Sequence, residues 1–306
     1  MSFRDSAGLD DTITVVIPVF NGADWLAEAL QSVLKQSLLP NEILVINDGS
    51  TDNSAEIAQS FKGVSVHTFE NAGLSASRNR GIELATSKWI AFLDHDDLWE
   101  PEKLERQMKA LKADSVADVC VTSRRYLLVG KTREDIRIGD VQAAPNSEAM
   151  VSYLYRRCYF APSSVVARRS ALRSIGGFDP SIKFVEDWDC WLRLEQAGAR
   201  FVSCIEPLTL YRVRAESMSR NAEAMYNGEL SIYDRYISAR RHALYRPLSR
   251  LRFKSELLAE LAIAKREQGE NEYLRMMLGS IVVSPFGSLR RYKIAGHMLL
   301  HKANLL

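Results

Sequence analysis

Residues 12–49 read TITVVIPVFNGADWLAEALQSVLKQSLLPNEILVINDG, and this stretch decides the fold. Thr12–Ile17 is a β-branched apolar run that stops at Pro18. Ala23–Gln36 places Trp25, Leu26, Ala29, Leu30, Val33 and Leu34 at helical spacing. Glu42–Ile46 is a second apolar run, closed by the turn chemistry of Asn47-Asp48-Gly49-Ser50. Strand, helix, strand within forty residues predicts a parallel pair joined by a crossover helix.

The alternation continues. Helices are expected over Asp52–Phe61, Leu74–Ala85 and Pro101–Lys112, and strands over Val64–Phe69, Trp89–Leu93 and Asp118–Thr122. Continuous apolar strands between helices imply an α/β fold with a mostly parallel central sheet buried between helical layers. Residues 123–140 read as a hairpin or loop. Further strands are expected at Ser163–Ala167, Arg200–Cys204 and Leu208–Val213, with a helix at Glu186–Ala197. From about Glu223 onward the pattern is helical and rich in Arg, Leu and Ala. Two parts follow: an α/β domain over 1–220 and a C-terminal helical extension over 221–306.

Bulk properties exclude several classes. A chain of 306 residues, 46% apolar, can bury a sizeable core. A net charge of +2 argues against a general nucleic-acid binder. The four cysteines, Cys120, Cys158, Cys190 and Cys204, show no CxxC spacing and read as free thiols of a reducing compartment. The polar N-terminus lacks a signal-peptide pattern, and no run reaches the ~20 apolar residues of a membrane span, so a cytoplasmic location is expected. His297 and His301 have metal spacing without a third ligand.

Parallel sheets bind ligands beyond the carboxyl ends of their strands. Those ends carry Pro18-Val19-Phe20-Asn21, Asp48, Glu70-Asn71-Ala72-Gly73 and Asp94-His95-Asp96-Asp97, which should converge on one edge. In FLDHDD (92–97) three carboxylates stand within four positions and need compensation. Water, an arginine or lysine, or a metal could supply it. In an extended segment Asp94 and Asp96 would share one face, with His95 on the other, and two carboxylates side by side suit Mg²⁺ or Mn²⁺. The plain reading is a solvated loop, with Asp97 capping the next helix. Arg78 and Arg80, in NAGLSASRNRGI (71–82), stand against a helix dipole, which suggests a diphosphate nearby or pairing with Glu70 or Glu83. Glu186-Asp187 opens a helix and reads as capping, or as a general base beside a wall of Trp188 and Trp191.

Taken in order, TVVIPVFN, EILVINDGSTD, NAGLSASRNRGI, WIAFLDHDDLWEP, GGFDP, EDWDCWLRL and EPLTLYR resemble the family 2 glycosyltransferases, inverting enzymes of the GT-A fold. The match covers roughly residues 12–215. The resemblance implies that Pro18, Val19 and Phe20 line a base pocket, that Asp48 holds the base or ribose, and that Arg78 lies near the diphosphate. It implies Asp94 and Asp96 as the DxD, with Asp94 toward the ribose and Asp96 toward Mg²⁺ or Mn²⁺, and His95 beside them at the donor. Asp187 would be the catalytic base, Glu186 and Trp188 would serve the acceptor, and Arg212 and Arg214 would contact substrate. Where many relatives carry a histidine two residues past the Tyr-Arg pair, this chain has Arg214. The loop from Arg214 to Arg220 would close over the diphosphate.

The implied donor is a UDP-sugar first and a dTDP-sugar second, and the implied acceptor a saccharide, free or lipid-linked, in cell-surface polysaccharide synthesis. A dehydrogenase needs G-x-G-x-x-G after the first strand and a P-loop enzyme needs GxxxxGK[ST]; both are absent. A non-catalytic nucleotide-sugar binding protein and a sugar nucleotidyltransferase stay open as alternatives. The tail stretches 246–267 and 288–306 mix basic and apolar residues. They could rest on an anionic membrane, pack on the catalytic domain, or join two copies of the chain as a homodimer.

Overall fold

The computed structural model describes residues 11–129, 136–158, 160–214, 217–238, 246–270, 272–285 and 289–302. The chain divides into two compact units, Met1–Ala215 and Glu216–Leu306.

The first unit is built on a nine-stranded sheet. Its strands are β1 (Ile13–Val19), β2 (Glu42–Asn47), β3 (Val64–Thr68), β4 (Trp89–Phe92), β5 (Leu98–Trp99), β6 (Val119–Val129), β7 (Ile136–Gln142), β8 (Val165–Arg168) and β9 (Phe201–Val213). The helices are α1 (Leu26–Leu34), α2 (Ser54–Gln59), α3 (Leu74–Leu84), α4 (Lys103–Ala113), α5 (Met150–Leu154), α6 (Arg169–Ser174) and α7 (Glu186–Gln196). The sheet order is β3-β2-β1-β4-β8-β6-β9-β5, with β7 on the side of β6. β3, β2, β1 and β4 run parallel, so their carboxyl ends do share one edge. β8 runs antiparallel between β4 and β6.

β1 is buried along its whole length, which is why it reads as an unbroken apolar run. α1 buries Leu26, Ala29, Leu30 and Val33 against it, in one core with Val15, Ile17, Val45, Leu104 and Met108. Truncating a side chain as buried as Leu30 to alanine typically costs about 2–5 kcal/mol.

Three elements depart from expectation. The strand expected at Asp118–Thr122 is β6, which runs on to Val129 and, with β7, forms a hairpin whose connection, residues 130–135, lies outside the described residues. Its polar Ser123-Arg124-Arg125-Tyr126 run hid it: Ser123 is buried, but Arg124, Arg125 and Tyr126 are only part-buried and break the apolar pattern. The two expected strands at 200–213 are one, β9. Pro207 is admitted at a register shift opposite Ser123, where a missing N–H is tolerated. Helix α1 starts at Leu26 rather than Ala23, because the Ala23 amide is taken by Asp52 and the first turn is closed onto Gly22.

The second unit holds α8 (Ala222–Ile232), α9 (Arg246–Glu267), α10 (Tyr273–Val283) and α11 (Leu289–Lys302). Ala259, Ala262, Met277, Ala295 and Met298 form its core. Buried Arg291 of α11 donates to the carbonyls of Ser280 and Ser284, at 2.8 and 2.7 Å, which satisfies the last turn of α10.

Candidate active site

The edge of the parallel strands is tied together by side chains of the predicted loops. Asp48, almost fully buried after β2, accepts from the amides of Ala72 and Gly73 at 3.0 and 2.8 Å and from Arg80 Nη1 at 2.9 Å. Gly73, with φ of 90°, makes the turn that aims both amides at one carboxylate. Arg80 therefore answers Asp48, and its guanidinium lies over the Phe69 ring at 4.4 Å. Of the three residues expected to line a base pocket, Pro18 and Val19 are buried in the sheet, and Phe20 alone presents its side chain, being 48% exposed.

The acidic cluster is not an extended segment. Asp97 N–H donates to the Asp94 carbonyl at 3.0 Å, so residues 94–97 form a turn and strand alternation does not relate Asp94 to Asp96. Their compensation is arginine. Arg78 Nη2 lies 2.8 Å from Asp94 Oδ1, and Arg214 Nη2 and Nε lie 2.7 and 2.9 Å from Asp96 Oδ2. Asp97 does not cap a helix. It is buried, accepts from Ser163 Oγ at 2.5 Å and from the Arg212 amide at 2.9 Å, and burial, with the charges of Asp96 and Asp94, pushes its carboxyl well up. His95 packs against Gly22, where a Cβ would meet its ring at 2.4 Å.

The structure holds Arg212, expected to contact substrate, as a brace. It is 1% exposed, lies over Trp25 at 4.2 Å, and joins the Asp96 carbonyl (2.7 Å) to Glu28 (2.8 Å). Trp188 likewise faces the core: it is fully buried, with Nε1 donating to the Leu154 carbonyl at 2.7 Å. An indole donor needs such a partner once buried. Trp191 is fully buried as well, so neither ring offers a stacking wall.

Arg78 joins the strand edge to α7. Besides Asp94, its Nη1 holds Glu186 Oε1 at 2.7 Å. Burial opposes its charge, but Asp94 and Glu186 outweigh burial and hold the guanidinium above its ordinary pKa. Next to Arg78, Asn79 accepts from the Phe178 amide and donates to its carbonyl, both at 2.8 Å, which fastens the GGFDP turn to α3. Val185 enters α7 in a left-handed conformation, φ 57°, unfavourable for a β-branched residue. With Glu186 spent on Arg78, the side chain of Asp187 is half-buried, bonded to the Trp188 amide at 2.7 Å and 3.7 Å from Cys158 Sγ. Burial chiefly, then the charge of Glu186, raises its carboxyl; Arg78, the Trp188 amide and Arg124 pull back, and it stands at about 7.

Among the described residues no three His, Cys, Asp or Glu side chains form a ready metal cluster. Asp94 Oδ2 and Asp96 Oδ1 nevertheless lack a protein partner among those residues. Two carboxylate oxygens, with phosphate and water completing the shell, fit the way Mg²⁺ is commonly held. His297 lies exposed on α11. All four cysteines are free, and Cys158 alone is not buried. In the loop expected to close over a diphosphate, residues 215–216 lie outside the described ones. Sequence reading missed Asn79, Trp25, Glu28 and Ser163, which act through distant partners that no local spacing reveals.

Residues 14–176 match the family described as "Glycosyl transferase family 2". An uncharacterized glycosyltransferase of Rickettsia prowazekii is 30% identical over 69% of this chain and 66% of its own length. A Bacillus subtilis protein, described as the putative teichuronic acid biosynthesis glycosyltransferase TuaG, is 28% identical over 68% of this chain and 82% of its own. TarS of S. aureus (residues 1–349), solved with UDP-GlcNAc, superposes with a TM-score of 0.60 at 17% identity, covering 83% of this chain and 81% of that one. The TarS likeness shows the GT-A fold. The chain belongs to glycosyl transferase family 2. It spans just under two thirds of the Rickettsia prowazekii relative, at 66%.

Proposed function

We propose that this protein transfers a sugar from a nucleoside-diphosphate sugar to a hydroxyl of a saccharide acceptor, with inversion at the anomeric carbon. The observation that carries the reading is the chain Asp96–Arg214 and Asp94–Arg78–Glu186, which runs from the strand edge to Asp187, a carboxyl standing at about 7. A base with that pKa is ionised enough at neutral pH to take a proton and basic enough to want one. Asp187 removes the acceptor hydroxyl proton as oxygen attacks the anomeric carbon, a contribution of roughly 10²–10⁴-fold. Arg78 and Arg214 place fixed positive charge beside the Asp94–Asp97 turn, where the leaving diphosphate gains charge. Phe20 and Asp48 frame the base. Asp94 and Asp96 would hold a Mg²⁺ or Mn²⁺ ion, which supplies further charge against the diphosphate when bound.

The complexes of TarS with UDP and with UDP-GlcNAc support a uridine nucleotide here, and the Bacillus subtilis relative's description supports a place in polysaccharide synthesis. A lipid-linked acceptor would wait at the cytoplasmic face of a membrane. Exposed Leu248 and Leu251 of α9 and Leu299 of α11, on helices rich in arginine and lysine, support peripheral contact there; among the described residues no helix is long and apolar enough to cross.

The test is calorimetric titration of UDP, with and without Mn²⁺, into the native chain and Asp96→Ala. Binding that needs Mn²⁺ and vanishes in the variant is expected. No binding of UDP, dTDP or GDP under either condition would overturn the reading.

A further inference from the structure

Arg124 is a cation that the sugar-transfer reading leaves unused. It lies on β6 two residues from Tyr126, and β9 sets Tyr211 opposite Tyr126. Its guanidinium carbon sits 4.8 Å from the Tyr211 ring centre and 5.4 Å from that of Tyr126. The two rings meet edge to face at 5.9 Å. Gln142 of β7 fixes the group: its Oε1 accepts from Arg124 Nε at 2.9 Å, from Nη2 at 2.6 Å, and from the Tyr126 hydroxyl at 2.5 Å.

Every one of these partners is neutral. Arg78, Arg80, Arg212 and Arg214 of the site all have carboxylate partners. Arg124 makes no ion pair among the described residues, and its Nη1 donates to nothing there. Holding a half-buried guanidinium rigid without a counter-charge costs stability, and a break of that kind marks a functional position. A fixed guanidinium edge is suited to a planar oxyanion.

The Arg124 guanidinium is near enough to Asp187 and to Cys158 for its charge to act on both. Cys158 in turn touches Asp187, and exposed Arg156 stands two residues before Cys158.

We propose that Arg124, held by Tyr126, Tyr211 and Gln142, is the acceptor-selecting residue and that it binds an anionic group, a carboxylate or a phosphate, carried by the saccharide acceptor. This deepens the proposed function and rests on Asp187 being the base. The full chain, saturated with UDP, is titrated at constant ionic strength with two pairs of probes, followed by ligand-observed NMR. Methyl β-D-glucuronide is set against methyl β-D-glucoside, and glycerol 1-phosphate against glycerol.

In the native chain the charged member of one pair should bind about ten-fold tighter than its neutral partner, ~1.4 kcal/mol. Which pair responds separates carboxylate from phosphate. Arg124→Gln should cut that preference below two-fold, and Arg124→Lys should retain part of it, with thermal melts verifying that both fold. Equal binding within both pairs, absence of binding by either pair, or a preference that survives Arg124→Gln would overturn the proposal. UDP affinity of the same samples reports separately on the donor reading: its loss throughout would count against sugar transfer, while intact UDP binding with no charge preference would count against Arg124 alone.

Discussion

Replacing Arg78 by methionine tests the argument that one buried cation holds the site together. The side chain is 1% exposed and its two carboxylate partners, Asp94 and Glu186, are 21% and 10% exposed. Methionine fills similar volume and removes both charge-assisted bonds, so packing changes little and the carboxylates are left stranded. Breaking a buried ion pair in this way costs about 3–5 kcal/mol, most of it the uncompensated charge left behind. The Glu186 side should dominate, because Asp94 can still turn toward water. For a domain of this size each kcal/mol lowers the melting temperature by about 2–4 °C. Arg78→Met should therefore unfold about 6–20 °C below the native chain and lose about 3–5 kcal/mol in urea titration. The deficit should shrink in acid, because protonating the stranded carboxylates removes the charge that caused it. A loss under about 1 kcal/mol, or a deficit that persists unchanged at low pH, would refute the bridge as described.

The pH response of Asp187 follows from its raised pKa. As a base it acts deprotonated, so donor turnover, read as nucleoside diphosphate release, should fall about tenfold per unit below a midpoint of about 7. Arg124→Gln should move that midpoint upward, since Arg124 pulls the carboxyl down. The stability sign is opposite to that of an ordinary paired carboxylate. Between 3.8 and about 7 the folded chain keeps a proton that the unfolded chain releases, so this group costs stability as pH rises through that window. Asp187→Asn should then melt higher than the native chain at pH 8 while losing turnover; a lower melting temperature there would count against the buried carboxylate. Gly177→Ala should destabilise by about 1–3 kcal/mol, because φ is 69° and a Cβ would stand 2.2 Å from Asn79 Oδ1, an atom fastened to the Phe178 amide. Chemical denaturation with an unchanged midpoint would show that the turn can yield.

The parallel half of the fold was legible because its strands are buried on both sides and its helices carry one apolar stripe. β1, α1, β2 and the loops at their ends follow from residues 12–49, and the same pattern carried on to Trp89–Leu93 gives the convergence of Asp48 and Asp94–Asp97 on one edge. Local pattern sufficed there because hydrophobic burial depends on period, and period is written in the chain. What each charged side chain touches is another matter. The partners of Arg78 lie 16 and 108 residues away, and those of Arg212 reach across 184. No spacing rule connects such positions. That Trp188 and Trp191 face the core, that Arg212 serves as a brace, and that Arg124 stands among neutral groups were decided only when β8 inserted between β4 and β6 and β9 paired with β6. The sequence by itself determined which elements form and which edge would be polar. Tertiary structure decided how the charges are shared, because electrostatic pairing depends on distance in space, and distance in space is set by strand order.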